Sequence, residues 1–265
     1  MIKLIASDID GTLVKDGTSE IDTRMYDVIR RLKEKGIIFV GASGRQFTSM
    51  AKLFHPVSDD IYYITDNGAI LRDKRQVYHM NVIEPTILHQ LISDAKKLEG
   101  CDIMVCGRDA AYCEDTGEMF YWLRDSYRFN VEAVGDFRNL RDDIVKVSIY
   151  QKDRAEEIVN EWFGPKWRDT FRIASAGVMW MDIVYPEADK GSSLKVLQKM
   201  LGISKEETMA FGDNINDLGL LSAAEESYAI GSARDEVKAA AKHVAPPLSE
   251  YGVTKVLEDY LDSLD

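Results

Sequence analysis

The sequence predicts an α/β protein built on a doubly wound parallel sheet, with a separate α+β unit inserted into it. Short apolar runs alternate with amphipathic segments through the first 65 residues, and the same alternation returns from about residue 190 to the C-terminus. Between about 83 and 186 the pattern changes to several strand-like runs mixed with helices. Alternating strands and helices are typical of a parallel sheet, and a block of strands is typical of an antiparallel one.

The N-terminal elements follow from apolar periodicity and from helix end signals. The segment 22–35 repeats apolar residues at helical spacing, follows a sequence that resembles a capping box at 19–22, and ends at Gly36. In chain order the predicted elements are strand 2–7, helix 22–35, strand 36–43, helix 45–55 and strand 61–65.

The C-terminal part repeats this order, so both ends of the chain are expected to contribute strands to one sheet. The predicted elements are helix 190–201, strand 207–211, helix 214–223, strand 227–231, helix 234–241, strand 243–244 and helix 254–263.

The middle of the chain predicts an antiparallel sheet backed by helices at 85–99, near 117–127 and at 153–163. We therefore expect one domain from residues 1–82 with 187–265, and a second domain from residues 83–186.

Composition excludes several classes of function. The net charge of −12 and the pI near 4.9 argue against binding nucleic acid or an anionic membrane, but a small anionic substrate is compatible with them. No signal peptide or membrane span is expected, and three cysteines without CxxC spacing indicate a reducing cytoplasm. The four scattered histidines argue against zinc and against a Ser/His triad. The sequence carries no information on oligomeric state.

Four polar clusters are expected at one edge of the predicted sheet. Each follows a strand or opens a helix, and each alone is an ordinary turn or helix start. Ligands of open α/β sheets bind at the carboxyl ends of the strands, so together the clusters indicate a site. They are Asp8-Ile9-Asp10-Gly11-Thr12, Ser43-Gly44-Arg45, Asp189-Lys190-Gly191 and Gly212-Asp213-Asn214-Ile215-Asn216-Asp217.

The segments DIDGTL, SGR, DKGSSL and GDNINDLGLL resemble, in this order, the four motifs of the haloacid dehalogenase-like (HAD) phosphatases. They are most similar to the Cof-type subfamily, in which a cap domain lies between the second and third motifs. The segment TDNGA at 65–69 resembles the hinge-side segment of that subfamily. The resemblance implies a Rossmann-like core and an inserted α+β cap, which matches the long interval between Arg45 and Lys190.

The resemblance also implies roles for the acidic residues. The Asp8 carboxylate, the Asp10 main-chain carbonyl and the Asp213 carboxylate would bind Mg²⁺, with Asp217 supporting the site. An all-oxygen ligand set suits this ion. Asp8 would attack the phosphate and form an aspartyl-phosphate, and Asp10 would act as general acid and base.

Other residues are expected to bind the phosphoryl group or the substrate. Lys190 supplies positive charge beside Asp8, and Arg45 either reaches the phosphate or ties its loop. Thr12 is expected to cap the turn. Further candidates are Ser43, Gly44 and Asn216 for the phosphate, Asn67 and Gly68 near the hinge, and Arg108 and Trp180 in the cap.

The sequence thus predicts a Mg²⁺-dependent phosphatase of small phosphorylated metabolites, such as sugar phosphates, nucleotides or cofactor phosphates. A phosphomutase or phosphotransferase that uses the same aspartyl-phosphate is an alternative. A third hypothesis is a non-catalytic phosphate-binding protein, which the presence of Asp8, Asp10 and Lys190 disfavours.

Overall fold

The computed structural model describes residues 1–126, 128–175 and 179–264. The chain divides into two compact units. Unit 1 comprises Met1–His79 and Asp189–Asp265, and unit 2 comprises Met80–Ala188. Within the described ranges, no helix has the length and apolar character needed to cross a membrane.

The strands of the described chain are numbered in chain order. They are β1 Leu4–Asp8, β2 Ile38–Ala42, β3 Ile61–Thr65, β4 Ile70–Arg72, β5 Val77–Met80, β6 Asp102–Cys106, β7 Ala111–Cys113, β8 Val131–Ala133, β9 Lys146–Tyr150, β10 Arg172–Ser175, β11 Trp180–Val184, β12 Thr208–Gly212, β13 Glu226–Ile230 and β14 His243–Ala245.

The α-helices are numbered in the same way. They are α1 Arg24–Glu34, α2 Phe47–Leu53, α3 Pro85–Ala95, α4 Glu118–Asp125, α5 Ala155–Ile158, α6 Gly164–Trp167, α7 Lys190–Leu201, α8 Leu218–Ser222, α9 Asp235–Ala240 and α10 Gly252–Asp262.

The sheet of unit 1 has the strand order β14-β13-β12-β1-β2-β3-β4-β5. Neighbouring strands from β14 to β3 run parallel, whereas β4 runs antiparallel to β3. The predicted α/β class with a parallel sheet core is therefore confirmed.

Helices cover both faces of this sheet because each presents one apolar stripe. The stripe of α1 consists of Met25, Val28, Ile29 and Leu32, which are all buried. It belongs to one core cluster together with residues of α2 and α10, whereas residues of α7, α8 and α9 belong to the cluster on the opposite face. The result is the three-layer arrangement of a doubly wound fold.

Unit 2 has a six-stranded sheet in the order β10-β11-β9-β6-β7-β8. Its neighbouring strands run antiparallel, except for the parallel pair β7 and β8. Residues of α3, α5 and α6 form one core cluster with this sheet, and residues of α4 belong to a second cluster.

Several elements of the structure differ from the sequence prediction. Strands β4, β5 and β8 were not predicted, because runs of three or four residues carry little periodicity. The helix predicted at 153–163 is α5 followed by a π-helical turn at Val159–Phe163, and α6 continues from it. Pro165 explains the interruption, since proline lacks the N–H that an α-helix needs and its ring clashes with the preceding turn. The last residue of the helix predicted near 117–127 lies outside the described residues.

Candidate active site

The centre of the unit 1 sheet brings the first and fourth motifs together. Strands β1 and β12 are neighbours, and the chain continues from them toward opposite edges of the sheet. Asp8 is the last residue of β1, and Asp213 directly follows β12. Carboxylate oxygens of Asp8, Asp213 and Asp217 all lie within 4.8 Å of one another. The predicted acidic cluster therefore forms at the strand ends where open α/β sheets bind ligands.

Lys190 links two of these carboxylates from the first turn of α7. Its Nζ donates to Asp8 Oδ1, and also to Asp217 Oδ1 at 2.7 Å. The ammonium group is fully buried, which alone would lower its pKa, but the Asp217 and Asp8 carboxylates outweigh burial and raise the pKa of Lys190. The helix is capped by Asp189, whose carboxylate accepts the Gly191 N–H at 2.8 Å. The sequence thus places beside Asp8 a lysine whose charged form is favoured.

Both carboxylate oxygens of Asp217 accept hydrogen bonds. Its Oδ1 accepts from Lys190, and its Oδ2 accepts the main-chain N–H groups of Asp213 and Asn214, each at 3.1 Å. These bonds close the turn that carries Asp213. Asp217 therefore holds the lysine and the turn in place, and its predicted support of a metal site stays a prediction.

Asp8 keeps one carboxylate oxygen without a partner. Its Oδ2 is buried and has no hydrogen bond within the described part of the chain. Burial and the Asp217 and Asp213 charges raise the pKa of Asp8, with Lys190 opposing them. Burial and Asp217 also raise the pKa of Asp213 to about 6. Three carboxylates around one ammonium leave excess negative charge, so the cluster fits a divalent cation with oxygen ligands, the chemistry that Mg²⁺ prefers.

The loop after β1 contacts the Asp213 carboxylate. Thr12 Oγ1 donates to Asp213 Oδ1 at 3.0 Å. Gly11 has φ +86°, and a Cβ at this position would lie 2.4 Å from Asp213 Oδ2. Thr12, predicted to cap the turn, instead directs its hydroxyl at Asp213. A hydroxyl residue two positions after the second of two paired carboxylates is the signal that could have revealed this contact.

Asp10 points its carboxylate at Arg45. The distances are 2.8 Å from Arg45 Nε to Asp10 Oδ2 and 2.5 Å from Arg45 Nη2 to Asp10 Oδ1. Ser43 Oγ also donates to Asp10 Oδ2 at 3.2 Å, and Arg45 Nη2 donates to the Thr18 carbonyl at 2.6 Å. Arg45 is buried, and in this structure its guanidinium ties the loops of the first and second motifs together.

The segment with Asn67 and Gly68 lies between the second and third motifs. Asn67 adopts left-handed backbone angles (φ 59°, ψ 28°), and its N–H donates to the Ser43 carbonyl at 3.1 Å. A Cβ on Gly44 would lie 2.9 Å from Asn67 Oδ1, so glycine permits this approach. The Gly68 carbonyl accepts from Ser193 Oγ of α7 at 2.7 Å.

Asn216 is not joined to the acidic cluster by any hydrogen bond in the described part of the chain. It is exposed on the short 3₁₀ turn Ile215–Asp217. The predicted role of Asn216 as a donor to phosphate or to Lys190 therefore stays a prediction.

The two predicted cap contacts lie in unit 2. Arg108 lies in the turn between β6 and β7 and pairs with Asp143 at 2.7 Å. Trp180 stacks on Trp122, with ring centroids 6.2 Å apart and planes 22° apart, and it also contacts Tyr150 at a centroid distance of 4.9 Å. These contacts are internal to unit 2, and the proposed contact of either residue with substrate is untested.

Comparison with known proteins assigns the family. The model of the haloacid dehalogenase-like hydrolases matches residues 5–257. The chain is a haloacid dehalogenase-like hydrolase. The resemblance inferred from the four motifs is thereby confirmed.

Relatives of this haloacid dehalogenase-like hydrolase include named phosphatases. The 5-amino-6-(5-phospho-D-ribitylamino)uracil phosphatase YbjI of Escherichia coli is 28% identical, covering 98% of this chain and 96% of that protein. The phosphatase YitU of Bacillus subtilis, named for the same substrate, is 26% identical over 97% of each chain. A crystal structure from Eubacterium rectale is 40% identical, with a TM-score of 0.91, and covers 98% of this chain and 99% of its own. The haloacid dehalogenase-like hydrolase described here is therefore a phosphatase.

Proposed function

We propose that this phosphatase hydrolyses phosphate monoesters of small metabolites with Mg²⁺, through an aspartyl-phosphate on Asp8. The observation that carries the proposal is the environment of Asp8. One of its oxygens accepts a hydrogen bond from the buried Lys190, and the other has no hydrogen bond within the described residues. Its carboxylate also lies in the cluster with Asp213 and Asp217. This arrangement suits a carboxylate that must attack phosphorus and help to bind a cation.

The metal ligands in this proposal are the carboxylates of Asp8 and Asp213 and the main-chain carbonyl of Asp10. Asp217 supports them, because both of its oxygens are already engaged by Lys190 and main-chain N–H groups. A bound Mg²⁺ would supply positive charge to offset the carboxylates and the phosphate dianion.

The chemistry of this chain's own residues has two steps. Asp8 attacks phosphorus, the bond from phosphorus to the ester oxygen breaks, and the leaving oxygen takes a proton from Asp10. Water then attacks phosphorus and gives a proton to Asp10, and inorganic phosphate leaves Asp8. Lys190 favours the ionised form of Asp8 against burial and the neighbouring carboxylates, and it offsets charge on the phosphoryl oxygens.

The phosphoryl group is proposed to be bound by short polar groups around the strand ends. Ser43 offers a hydroxyl and Gly44 a main-chain N–H, while Asn67 and Asn216 offer side-chain amides. The contact of Arg45 with Asp10 favours a positioning role over a direct phosphate contact.

Unit 2 is proposed to be the cap that selects the leaving group. It is inserted between Arg45 and Lys190, the position of the cap in Cof-type phosphatases. Two relatives are named for 5-amino-6-(5-phospho-D-ribitylamino)uracil, so a phosphorylated alditol attached to a heterocycle is the first substrate to test. We also propose a cytoplasmic location, which the free thiols of Cys101, Cys106 and Cys113 favour.

The test is a screen for phosphate release. The wild-type protein and the Asp8→Asn variant are incubated with sugar phosphates, nucleotides, cofactor phosphates and the substrate named above, with Mg²⁺ or with EDTA. Release of free phosphate only by the wild type and only with Mg²⁺ supports the proposal. Conversion of one phosphate ester into another without free phosphate would instead indicate a phosphomutase or phosphotransferase.

A further inference from the structure

Thr12 contacts the fourth motif from within the first. Its hydroxyl is buried and donates to Asp213 Oδ1 at 3.0 Å. The neighbouring Gly11 leaves room for Asp213 Oδ2, where a Cβ would come within 2.4 Å. Thr12 therefore contacts one oxygen of this carboxylate and Gly11 leaves room for the other, although Thr12 and Asp213 are 201 residues apart in sequence.

The hydroxyl of Thr12 is not needed to close its own turn. Main-chain hydrogen bonds already do this: Leu13 and Val14 donate to the Ile9 carbonyl at 2.8 and 2.9 Å, and Gly11 donates to the Val14 carbonyl at 2.8 Å. A residue that merely caps the turn would direct its hydroxyl at this main chain. The side chain of Thr12 is directed at Asp213 instead.

We propose that Thr12 is a positioning residue that fixes the orientation of the Asp213 carboxylate for cation binding. This inference rests on the proposed Mg²⁺ site. One hydrogen bond to Oδ1 restricts rotation of the carboxylate and so holds its oxygens in one orientation for coordination. Residues that hydrogen-bond a metal ligand in this way commonly change metal affinity by roughly 10- to 100-fold when they are removed.

The experiment measures Mg²⁺ binding directly, by titration calorimetry without substrate. Thr12→Val keeps the shape of the side chain but removes the donor, and should weaken Mg²⁺ binding by roughly 10-fold or more. Thr12→Ser restores the hydroxyl and should recover most of the affinity. At saturating Mg²⁺, kcat of Thr12→Val should approach that of the wild type, because the proposed reacting groups are intact. Thr12→Ala provides the same measurement if the valine variant does not fold.

Thr208→Val is the matched control. Thr208 is also buried, and its hydroxyl donates to the Ser204 carbonyl at 2.8 Å, at the opposite end of β12 from Asp213. This variant should lose stability without losing Mg²⁺ affinity. Equal Mg²⁺ affinity in the wild type and Thr12→Val would overturn the role of Thr12 and leave the proposed function intact. Absence of Mg²⁺ binding in the wild type would overturn the metal site, and the role of Thr12 with it.

Discussion

Arg45 holds the carboxylate of Asp10 with two parallel hydrogen bonds, from Nε to Oδ2 at 2.8 Å and from Nη2 to Oδ1 at 2.5 Å. This fork-to-fork geometry is the most directional ion pair available to proteins, and Arg45 is almost completely buried. The pair connects Asp10, the proposed proton-transfer residue of the first motif, to Arg45 of the second motif. A movement of Asp10 would therefore be coupled to the second motif.

Arg45→Gln should lower kcat by roughly 10- to 100-fold, because a misplaced catalytic group is costly even when it remains present. KM for substrate should change little, since the guanidinium binds Asp10 rather than phosphate in this account. Arg45→Lys keeps the positive charge but loses the two parallel hydrogen bonds. Its kcat should lie between that of the wild type and that of Arg45→Gln. Steady-state kinetics with each variant distinguishes a role of Arg45 in positioning Asp10 from a direct contact with phosphate. A large rise in KM with unchanged kcat would show that Arg45 binds the phosphate instead.

Asp10→Asn should slow turnover by roughly 10²- to 10⁴-fold, the usual contribution of a general acid or base. Its affinity for Mg²⁺ should remain close to wild type, because the proposed ligand is the main-chain carbonyl. Asp259→Asn removes an exposed carboxylate from α10 and serves as the control. Loss of Mg²⁺ binding in Asp10→Asn would mean that the side chain, not the carbonyl, is the ligand.

Lys190→Met should destabilise the metal-free protein by about 3–5 kcal/mol, because it leaves the buried Asp8 and Asp217 carboxylates without their cation. Adding Asp217→Asn to this variant should recover part of the lost free energy of unfolding. Urea denaturation in EDTA measures both. If the two substitutions were simply additive, Lys190 and Asp217 would not be energetically coupled.

The stability of the metal-free protein should fall as the pH rises through about 6. The pKa of Asp213 is raised from 3.8 to about 6, so its contribution to stability is complete below 3.8 and is lost above 6. Mg²⁺ needs the ionised carboxylate, so the stabilisation by Mg²⁺ should grow over the same range.

Urea unfolding of the wild type and Asp213→Asn, below about pH 5 and above about pH 7, provides the measurement. The difference between the two proteins isolates Asp213 from other titrating groups. In EDTA, a wild-type protein that gains stability relative to Asp213→Asn as the pH rises would contradict the raised pKa.

Much of the fold was predictable because its elements have strong local signals. Helix α1 carries four buried residues at helical spacing, and the central strands are continuous apolar runs. Strands β4 and β5 were missed because pairing with their neighbours, rather than local propensity, determines such short strands. Pro165, two residues beyond the helix predicted at 153–163, accounts for the π-helical turn before α6 by a mechanism that could have been inferred from sequence.

The acidic cluster was predictable because motif order fixed which strand ends carry which residues. The hydrogen-bond partners of the acidic residues were not predictable. The sequence could not show that Arg45 binds Asp10, or that Thr12 binds Asp213, since both depend on side-chain direction across separate loops. Asn216 is exposed, and its predicted role stays a prediction.

The most direct test of the central claim is chemical trapping of the proposed aspartyl-phosphate. Borohydride reduces an acyl phosphate to an alcohol, which would convert Asp8 to homoserine. Cleavage after Lys3 and Lys15 releases residues 4–15, and fragment-ion mass spectrometry distinguishes Asp8 from Asp10 within this peptide. We predict substrate-dependent homoserine at position 8, in larger amount in Asp10→Asn if breakdown of the intermediate becomes limiting. Modification at Asp10, or phosphate release by Asp8→Asn at the wild-type rate, would contradict the account.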